Sequence, residues 1–223
     1  MKNVPRFDED TVLVTPVGTA YWPWILVPDE KYNKFGEFKV SMAFDGKDEL
    51  TFHRQIQDLY DQAVEQKRVE KGVISIDKAD PPFSRTKDGK LLLFRFKLKA
   101  SGIADGGRRW YNPHPKIFDQ FQGKARLIEP DPEKFKLGTG SRIRVYFRPK
   151  PYFVKAAGLS LRIVAIQVIT YNEYDPAAAL GVEPEDGGFT YEPEPESEVE
   201  KQLKEPEPKA EPFHGATDSD IPW

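Results

Sequence analysis

The chain has 223 residues, 31% of them charged and 39% hydrophobic, which is enough for one well-packed domain with an appended segment. It contains no cysteine and only three histidines, which excludes disulfides, iron–sulfur clusters and cysteine nucleophiles and leaves little for a metal centre. With a net charge of -3, no apolar run long enough for a membrane span and no apolar core of a signal peptide, it reads as a cytoplasmic protein.

The first part of the chain reads as two strands followed by a helix. Residues 11–17 and 35–44 are rich in β-branched and aromatic residues, and Gly18 and the turn signal Asp45–Gly46 close them. From residue 47 to 71, neither Pro nor Gly occurs and apolar side chains recur every three or four positions, which predicts one amphipathic helix. These apolar side chains are Phe52, Ile56, Leu59, Tyr60, Ala63 and Val64.

After the helix, strand patterns dominate. Residues 73–76 could form a short strand, and the runs 91–100, 124–128, 141–149 and 159–171 read as strands of increasing length and apolarity. In the run 91–100 a strict alternation places Phe94, Phe96 and Leu98 on one face and Arg95, Lys97 and Lys99 on the other. The first face is expected in the core and the second in solvent.

One helix among several strands, without regular helix–strand alternation, favours a small barrel or an α+β fold. A mainly β, five-stranded OB-fold barrel with one amphipathic helix at about 47–71 fits this order best. The helix follows only two clear strands, whereas three usually precede it in that fold. Either a further strand lies in residues 18–27 or the topology is modified.

Cations and aromatic residues are interleaved on the strand near residue 145. Its even positions carry Arg142, Arg144, Tyr146, Arg148 and Lys150, opposite an apolar face of Ile143, Val145 and Phe147. A groove for single-stranded nucleic acid needs cations for the phosphates and aromatic rings for the bases. If this strand and the basic face at 95–99 lie in one sheet, they would supply such a surface, whereas a single cationic strand would be an ordinary solvated face.

Two further segments add aromatic side chains to cations or proline. Arg108 and Arg109 directly precede Trp110 and Tyr111, and the glycines before them predict a mobile loop that exposes both rings. Trp22 and Trp24 flank a proline, and because large aromatics dominate protein cores, burial is the favoured interpretation for them and base stacking the alternative. The candidates for nucleic-acid contact are Trp22, Trp24, Arg95, Lys97, Lys99, Arg108, Arg109, Trp110, Tyr111, Arg142, Arg144, Tyr146, Arg148, Lys150 and Tyr152.

Signatures of catalysis are missing from the sequence. There is no phosphate-binding loop and no nucleophile elbow, and the histidines at 53, 114 and 214 are far apart along the chain. We therefore expect no catalytic residues, no metal and no cofactor.

The chain divides by composition into a domain at 1–175 and a tail at 176–223. Eight of the 20 prolines lie in the last 51 residues, and the tail has too little apolar surface to offset the entropy of ordering, so we expect it to be disordered. Its end differs, because a short apolar tip follows two carboxylates. This tip is a candidate partner-binding segment, formed by Asp218, Asp220, Ile221, Pro222 and Trp223.

The near-neutral net charge conceals a strong asymmetry between these two parts. Residues 1–172 carry 30 basic and 21 acidic side chains, a charge of +9, whereas residues 173–223 carry 3 and 15, a charge of -12. A basic body with an acidic appendage indicates a binding surface for an anion together with a tethered competitor for that surface.

The order of several short motifs resembles that of single-stranded DNA-binding proteins from tailed phages of the T-odd type. The resemblance covers nearly all of residues 11–175. Separately, the end of the chain is similar to the acidic tip of bacterial single-stranded DNA-binding proteins, with Trp223 where those proteins have Phe. The segments that carry the first resemblance are Thr15–Ala20, Tyr21–Trp24, Gly36–Val40, the helix, Gly140–Val145, Pro151–Tyr152 and Leu159–Val168.

This resemblance implies an OB fold that coats single-stranded DNA during phage replication, recombination and repair. It also implies a tail that competes with DNA for the groove, recruits replication proteins such as a polymerase or a helicase–primase, and bridges two protomers into a homodimer. Two other classes stay open. One is an adaptor that acts through the acidic tail without binding DNA, and the other is a metal-dependent nuclease, which would need several carboxylates converging on one site.

Overall fold

The structure, a computed structural model, describes residues 11–31 and 33–175. The predicted tail at 176–223 and its tip lie outside these residues. The described elements are, in chain order, β1 (Leu13–Val14), β2 (Gly18–Asp29), β3 (Glu37–Ala43), α1 (Gly46–Lys71), β4 (Phe83–Arg85), β5 (Leu92–Lys99), β6 (Ser101–Ile103), β7 (Arg109–Tyr111), β8 (Lys116–Phe121), β9 (Lys124–Ile128), β10 (Arg142–Phe153) and β11 (Ala157–Thr170).

Five strands pair in a closed ring. The pairs β10–β2, β2–β3, β3–β5 and β10–β11 are antiparallel, and β5 pairs in parallel with β11, which closes the ring. This is the OB-like arrangement that the sequence predicts. The ring has an inner face, which forms the core, and an outer face, on which the candidate site residues lie.

Shorter strands extend the ring at two edges. β1 pairs with β10, and β8 pairs in parallel with the C-terminal half of β11, with β9 on the far side of β8. β4 pairs with β5, and β6 and β7 form a separate two-stranded sheet. The outer face of β10 and β11 is thereby flanked by β1 on one side and by β8 and β9 on the other.

Phenylalanine side chains from the helix and the ring form the centre of the core. The ring of Phe52 on α1 lies 4.9 Å from those of Phe44 and Phe94 and 6.1 Å from that of Phe147, centroid to centroid. Such edge-to-face contacts add to the free energy of burying large apolar surfaces. The helix therefore packs on the inner side of the ring, and both grooves of the outer face depend on the same core.

The helix matches its prediction closely. It begins at Gly46 and ends at Lys71, where Gly72 adopts a left-handed conformation with φ of 65° and its amide donates back to the carbonyls of the last turn. The side chains that it buries are Phe52, Ile56, Tyr60, Ala63 and Val64, all members of the predicted apolar stripe.

The strand predictions are correct in the second half of the chain and less so in the first. β5, β9, β10 and β11 lie within one to four residues of their predicted ends. The predicted strand at 11–17 is only two residues long and pairs outside the ring, and residues 73–76 form no strand. Residues 18–27 do belong to a strand, β2, yet only two ring strands precede the helix, so the topology is also modified.

A bulge in β11 interrupts the alternation that its sequence indicates. Between Tyr146 and Phe147 the register of β10 against β11 shifts, because Phe147 pairs with Ile163 and Tyr146 with Ala165. Ile163 and Ile166 are both buried in the core, so the inward-facing set changes from odd to even positions across the bulge. None of the described residues forms a helix long and apolar enough to cross a membrane.

Candidate nucleic-acid interface

An open groove of about 820 Å³ lies on the outer face of β2, β3, β5 and the start of β11, and we call it the first groove. It brings together five residues that the sequence nominates as DNA contacts, although they come from three separate stretches of the chain. Its walls combine indole and phenol rings with cations, as a single-strand groove requires. The nominated residues that line it are Trp22, Trp24, Arg95, Lys97 and Tyr152.

The two tryptophans are exposed, which corrects the interpretation of them as core residues. Trp22 is 59% exposed and Trp24 44%. The register of β2 against β3 shifts between Tyr21 and Trp24, and a bulge at this point accommodates the proline between the tryptophans, which cannot donate to a sheet ladder. The bulge turns both indoles to the outer face.

The backbone at Trp22 is strained. Its φ is 48°, a left-handed conformation that is costly for a bulky side chain. The Trp22 amide donates a 3.1 Å hydrogen bond to the Thr139 hydroxyl Oγ1, which helps to hold this conformation. The strain serves no apparent purpose in the core, so it is consistent with an indole positioned for a ligand.

Cations in the first groove have partners within the protein. Lys39 donates a hydrogen bond to the Asp29 carboxylate, and this bond holds the pKa of Asp29 below its usual value, with help from the Lys31 amide. The Lys97 ammonium lies 3.7 Å from the Glu37 carboxylate. Arg95 donates a 2.7 Å hydrogen bond to the carbonyl of Pro81. These cations are thus ordered in the free protein, at the cost of part of their net charge.

Strand register assembles a row of cations across the outer face. Lys39 is opposite Lys97, Lys97 is opposite Arg162, and Arg162 is opposite Arg148. At about 4.8 Å between strands, the row crosses β3, β5, β11 and β10 over roughly 14 Å. The sequence prediction that the two basic strands share a sheet is therefore correct in substance, but β11 separates them and contributes Arg162 between them.

A second groove, of about 360 Å³, lies on the outer face of β10 and the C-terminal half of β11. It contains Tyr146, one of the nominated aromatics, on a mostly apolar floor with Lys116 at its edge. Arg144 lies one row from Tyr146 on the same face, opposite Gln167. The side chains that line the second groove are Val12, Lys116, Phe118, Ala125, Tyr146, Val164, Ala165 and Gln167.

The segment predicted as a mobile loop is a hairpin. Arg109 to Tyr111 form β7, which pairs with β6. Trp110 is half-buried because its ring lies over the backbone of Gly102, where an added Cβ would come within 2.4 Å of it. Tyr111 is 69% exposed, and the Arg109 guanidinium lies 5.5 Å from the centre of its ring. The exposed ring predicted for Tyr111 is therefore observed, and that predicted for Trp110 is only partly so.

Three nominated cations lie outside both grooves. Arg142 donates to the Thr19 hydroxyl at 2.9 Å and to the Asp45 carboxylate at 3.1 Å, which ties β10 to β2 and to the start of α1. Lys99 is exposed at the end of β5, where the hairpin begins, and Arg108 is exposed in the hairpin turn. The fourth, Lys150, is exposed beside the first groove, opposite Ser160.

Two cations of the row, Lys39 and Arg162, are absent from the sequence-based candidates. Each is an isolated cation in an otherwise apolar strand, and only the register places it beside other cations. Among the described residues, no three His, Asp or Glu side chains converge into a metal site. The tip residues Asp218, Asp220, Ile221, Pro222 and Trp223 lie outside the described part of the chain.

Comparisons with known proteins bear on the fold. No protein-family model matches the chain, and no curated protein matches it in sequence. The crystal structure of gp2.5, a single-stranded DNA-binding protein encoded by bacteriophage T7, superposes with a TM-score of 0.59 at 19% identity, over 82% of this chain and 99% of that one.

A second phage protein has a similar fold. The single-stranded DNA-binding protein from bacteriophage Enc34, in complex with single-stranded DNA, superposes with a TM-score of 0.50 at 11% identity, over 73% of this chain and 88% of that one. Its C-terminally truncated form also gives 0.50 at 11% identity, over 74% and 88%. The resemblance that the sequence motifs indicate is thus confirmed in the fold: residues 11–175 have the OB-like fold of phage single-stranded DNA-binding proteins.

Proposed function

We propose that this chain is a non-enzymatic single-stranded DNA-binding protein that coats DNA without strong sequence preference. The observation that carries this proposal is the first groove, in which two exposed indoles lie beside a row of cations on an OB-like fold. Every base has a π-face, so exposed rings bind bases of any sequence, while the cations bind phosphates. In duplex DNA these π-faces are already stacked, so the groove is expected to prefer single strands.

The roles within the site follow from its chemistry. Trp22, Trp24 and Tyr152 stack on bases, and the row Lys39, Lys97, Arg162 and Arg148 follows the phosphates. With about five phosphates neutralised, log affinity is expected to fall with log salt at a slope near -3.5, from about -0.7 per contact on single strands.

The biological setting that we propose is the replication, recombination and repair of phage DNA in the cytoplasm of an infected bacterium. The -12 charge of residues 173–223 makes this segment a tethered competitor of DNA for the +9 body. Its tip, Asp218 to Trp223, recruits replication proteins such as a polymerase or helicase–primase. Exchange of tails between the grooves of two protomers would give a homodimer.

The test is a fluorescence titration with single-stranded and duplex oligonucleotides at two salt concentrations. The full chain and a chain that ends at Asp175 are compared. We expect tighter binding of the single strand than of the duplex, a steep salt dependence, and stronger binding by the truncated chain because the tethered polyanion is gone.

The outcomes separate the alternatives. Equal or weaker binding by the truncated chain would contradict competition by the tail and leave the groove intact as a proposal. No affinity of the body for any oligonucleotide would favour the adaptor, whose partner binding should then vanish on deletion of Ile221 to Trp223. Cleavage of the oligonucleotide on addition of magnesium or manganese would indicate a nuclease.

A further inference from the structure

The two grooves are connected by a pair of arginines on the outer face, which we call the arginine step. Arg148 on β10 is directly opposite Arg162 on β11. On the first-groove side, the next outward pair is Lys150 and Ser160, and Ser160 lines the first groove. On the other side, the next is Tyr146 with Ala165, both of which line the second groove. The arginine step is thus the boundary between the grooves.

The arginine step is electrostatically unfavourable in the free protein. Like charges directly opposite each other on adjacent strands are destabilising, and Lys97 is also opposite Arg162. In residues 11–31 and 33–175, neither Arg148 nor Arg162 has a carboxylate or a hydrogen-bond acceptor as partner. Arg148 Nε is moreover buried without an acceptor, which costs free energy. An anion that draws the guanidinium outward would relieve both penalties.

The second groove has the composition of a base-binding surface. Tyr146 and Phe118 supply aromatic rings, and its floor of Val164 and Ala165 is apolar. The cations at its rim, Lys116 and Arg144, also have no acidic partner within the described part of the chain. Aromatic rings with unneutralised cations complement a polyanion with apolar bases better than they complement a neutral apolar peptide.

We propose that a single DNA strand leaves the first groove over the arginine step and continues into the second groove, so that one domain binds a longer strand than the first groove holds. This inference rests on the proposed function. Phosphates bridge Arg148 and Arg162, a base stacks on Tyr146, and Lys116 and Arg144 bind the following phosphates. The second groove is therefore a DNA subsite that short strands do not reach.

The test compares two oligothymidines, of about 5 and about 15 nucleotides, within the range of site sizes known for OB folds. Fluorescence anisotropy of the full chain is measured at low salt. For Tyr146→Ala we expect roughly a 5- to 150-fold loss of affinity for the long strand and no change for the short one, which corresponds to one lost stacking contact. Tyr146→Phe keeps the ring and should restore binding of the long strand.

Tyr174→Ala is the matched control, because Tyr174 is 50% exposed and lies in neither groove. It should bind both strands as the unaltered chain does.

A second variant tests the arginine step with two readouts of opposite sign. Arg162→Glu replaces a like-charge pair by a cross-strand ion pair with Arg148 and should raise the melting temperature, while it lowers affinity for the long strand. Arg54→Gln is its control, because Arg54 is exposed on α1, away from both grooves. Lys116→Gln should reduce the salt slope by about 0.7 for the long strand only.

Each outcome distinguishes this inference from the proposed function. If the unaltered chain binds neither strand, the proposed function fails. If it binds both and Tyr146→Ala weakens neither, or weakens both equally, the continuous path is wrong. If Tyr146→Ala instead abolishes self-association or binding of a protein with both DNA affinities unchanged, the second groove is a protein-docking surface and this inference is overturned.

Discussion

The two grooves on the outer face use cations in different ways. In the first groove, Lys39, Lys97 and Arg95 are held by Asp29, Glu37 and the carbonyl of Pro81. At the arginine step and in the second groove, Arg148, Arg162, Arg144 and Lys116 have no such partners among the described residues. The same chemical groups are thus ordered but partly neutralised in one place, and unneutralised in the other.

This difference separates two properties that a DNA-binding surface needs. Internal ion pairs fix the geometry of a side chain before the ligand arrives, which reduces the entropy lost on binding. They also lower the net charge that attracts phosphates, and hence the electrostatic part of the affinity. We expect the first groove to contribute mainly stacking on ordered rings, and the arginine step with the second groove to contribute mainly charge.

The largest expected effect would remove both grooves together. Phe52→Ala removes an aromatic ring that is 2% exposed and contacts four other phenylalanines, so it should lower the free energy of unfolding by about 3–5 kcal/mol. Denaturant titration measures this loss. Because the grooves lie on one ring with one core, a single cooperative transition is expected, whereas two separate transitions would show that the grooves belong to independent units.

A smaller effect should be confined to stacking in the first groove. Trp24→Ala is expected to weaken binding of short and long strands alike by about 1–3 kcal/mol, since each stacked base contributes that much. The melting temperature should change little, because the indole is 44% exposed. Unchanged affinity for the short strand would mean that the ring is not a platform, and a large drop in melting temperature would make it a structural residue.

The smallest expected effect tests the cost of the internal ion pairs. Asp29→Asn removes the carboxylate that partly neutralises Lys39, so single-stranded DNA should bind more tightly and the salt slope should steepen by about 0.7. Asp88→Asn is the control, because Asp88 pairs with Thr86 in a turn outside both grooves. Weaker binding by Asp29→Asn would show that ordering of Lys39 outweighs its neutralisation.

The same pair predicts a dependence on pH. The pKa of Asp29 in the folded protein is lowered, chiefly by the hydrogen bond from Lys39, so the stability from this pair is present above the unfolded value of about 3.9 and is lost as pH falls through the lower folded value. Thermal melts of the unaltered chain and of Asp29→Asn should therefore converge below about pH 4.

Some of the site could be predicted because its signals are local. The alternation at 92–99 places Arg95 and Lys97 on the outer face, and the helical period at 46–71 identifies the stripe that Phe52 belongs to. The pattern in β10 likewise identifies the outward positions of Tyr146 and Arg148. In each case, neighbours a few residues apart determine which face a side chain takes.

The errors have a common physical cause, which is that they depend on residues far apart in the sequence. Exposure of Trp22 and Trp24 depends on a bulge in β2 against β3 and on a hydrogen bond from Thr139. The hairpin at 101–111 depends on the packing of Trp110 over Gly102. Neither interaction has a periodic signal, and a proline beside two tryptophans is equally compatible with a core or a surface.

The sequence alone determined the charge asymmetry, the single helix, the strand character of the chain after residue 91 and the chemistry of the outward-facing positions, because these properties belong to residues or to short periods. Only the tertiary structure decided which cations are neighbours. Arg162 and Lys39 acquire a role through the register of β3, β5, β11 and β10, since strand pairing joins residues that the chain separates by dozens of positions. The same pairing divides one list of candidate residues between two grooves and places two arginines at their boundary.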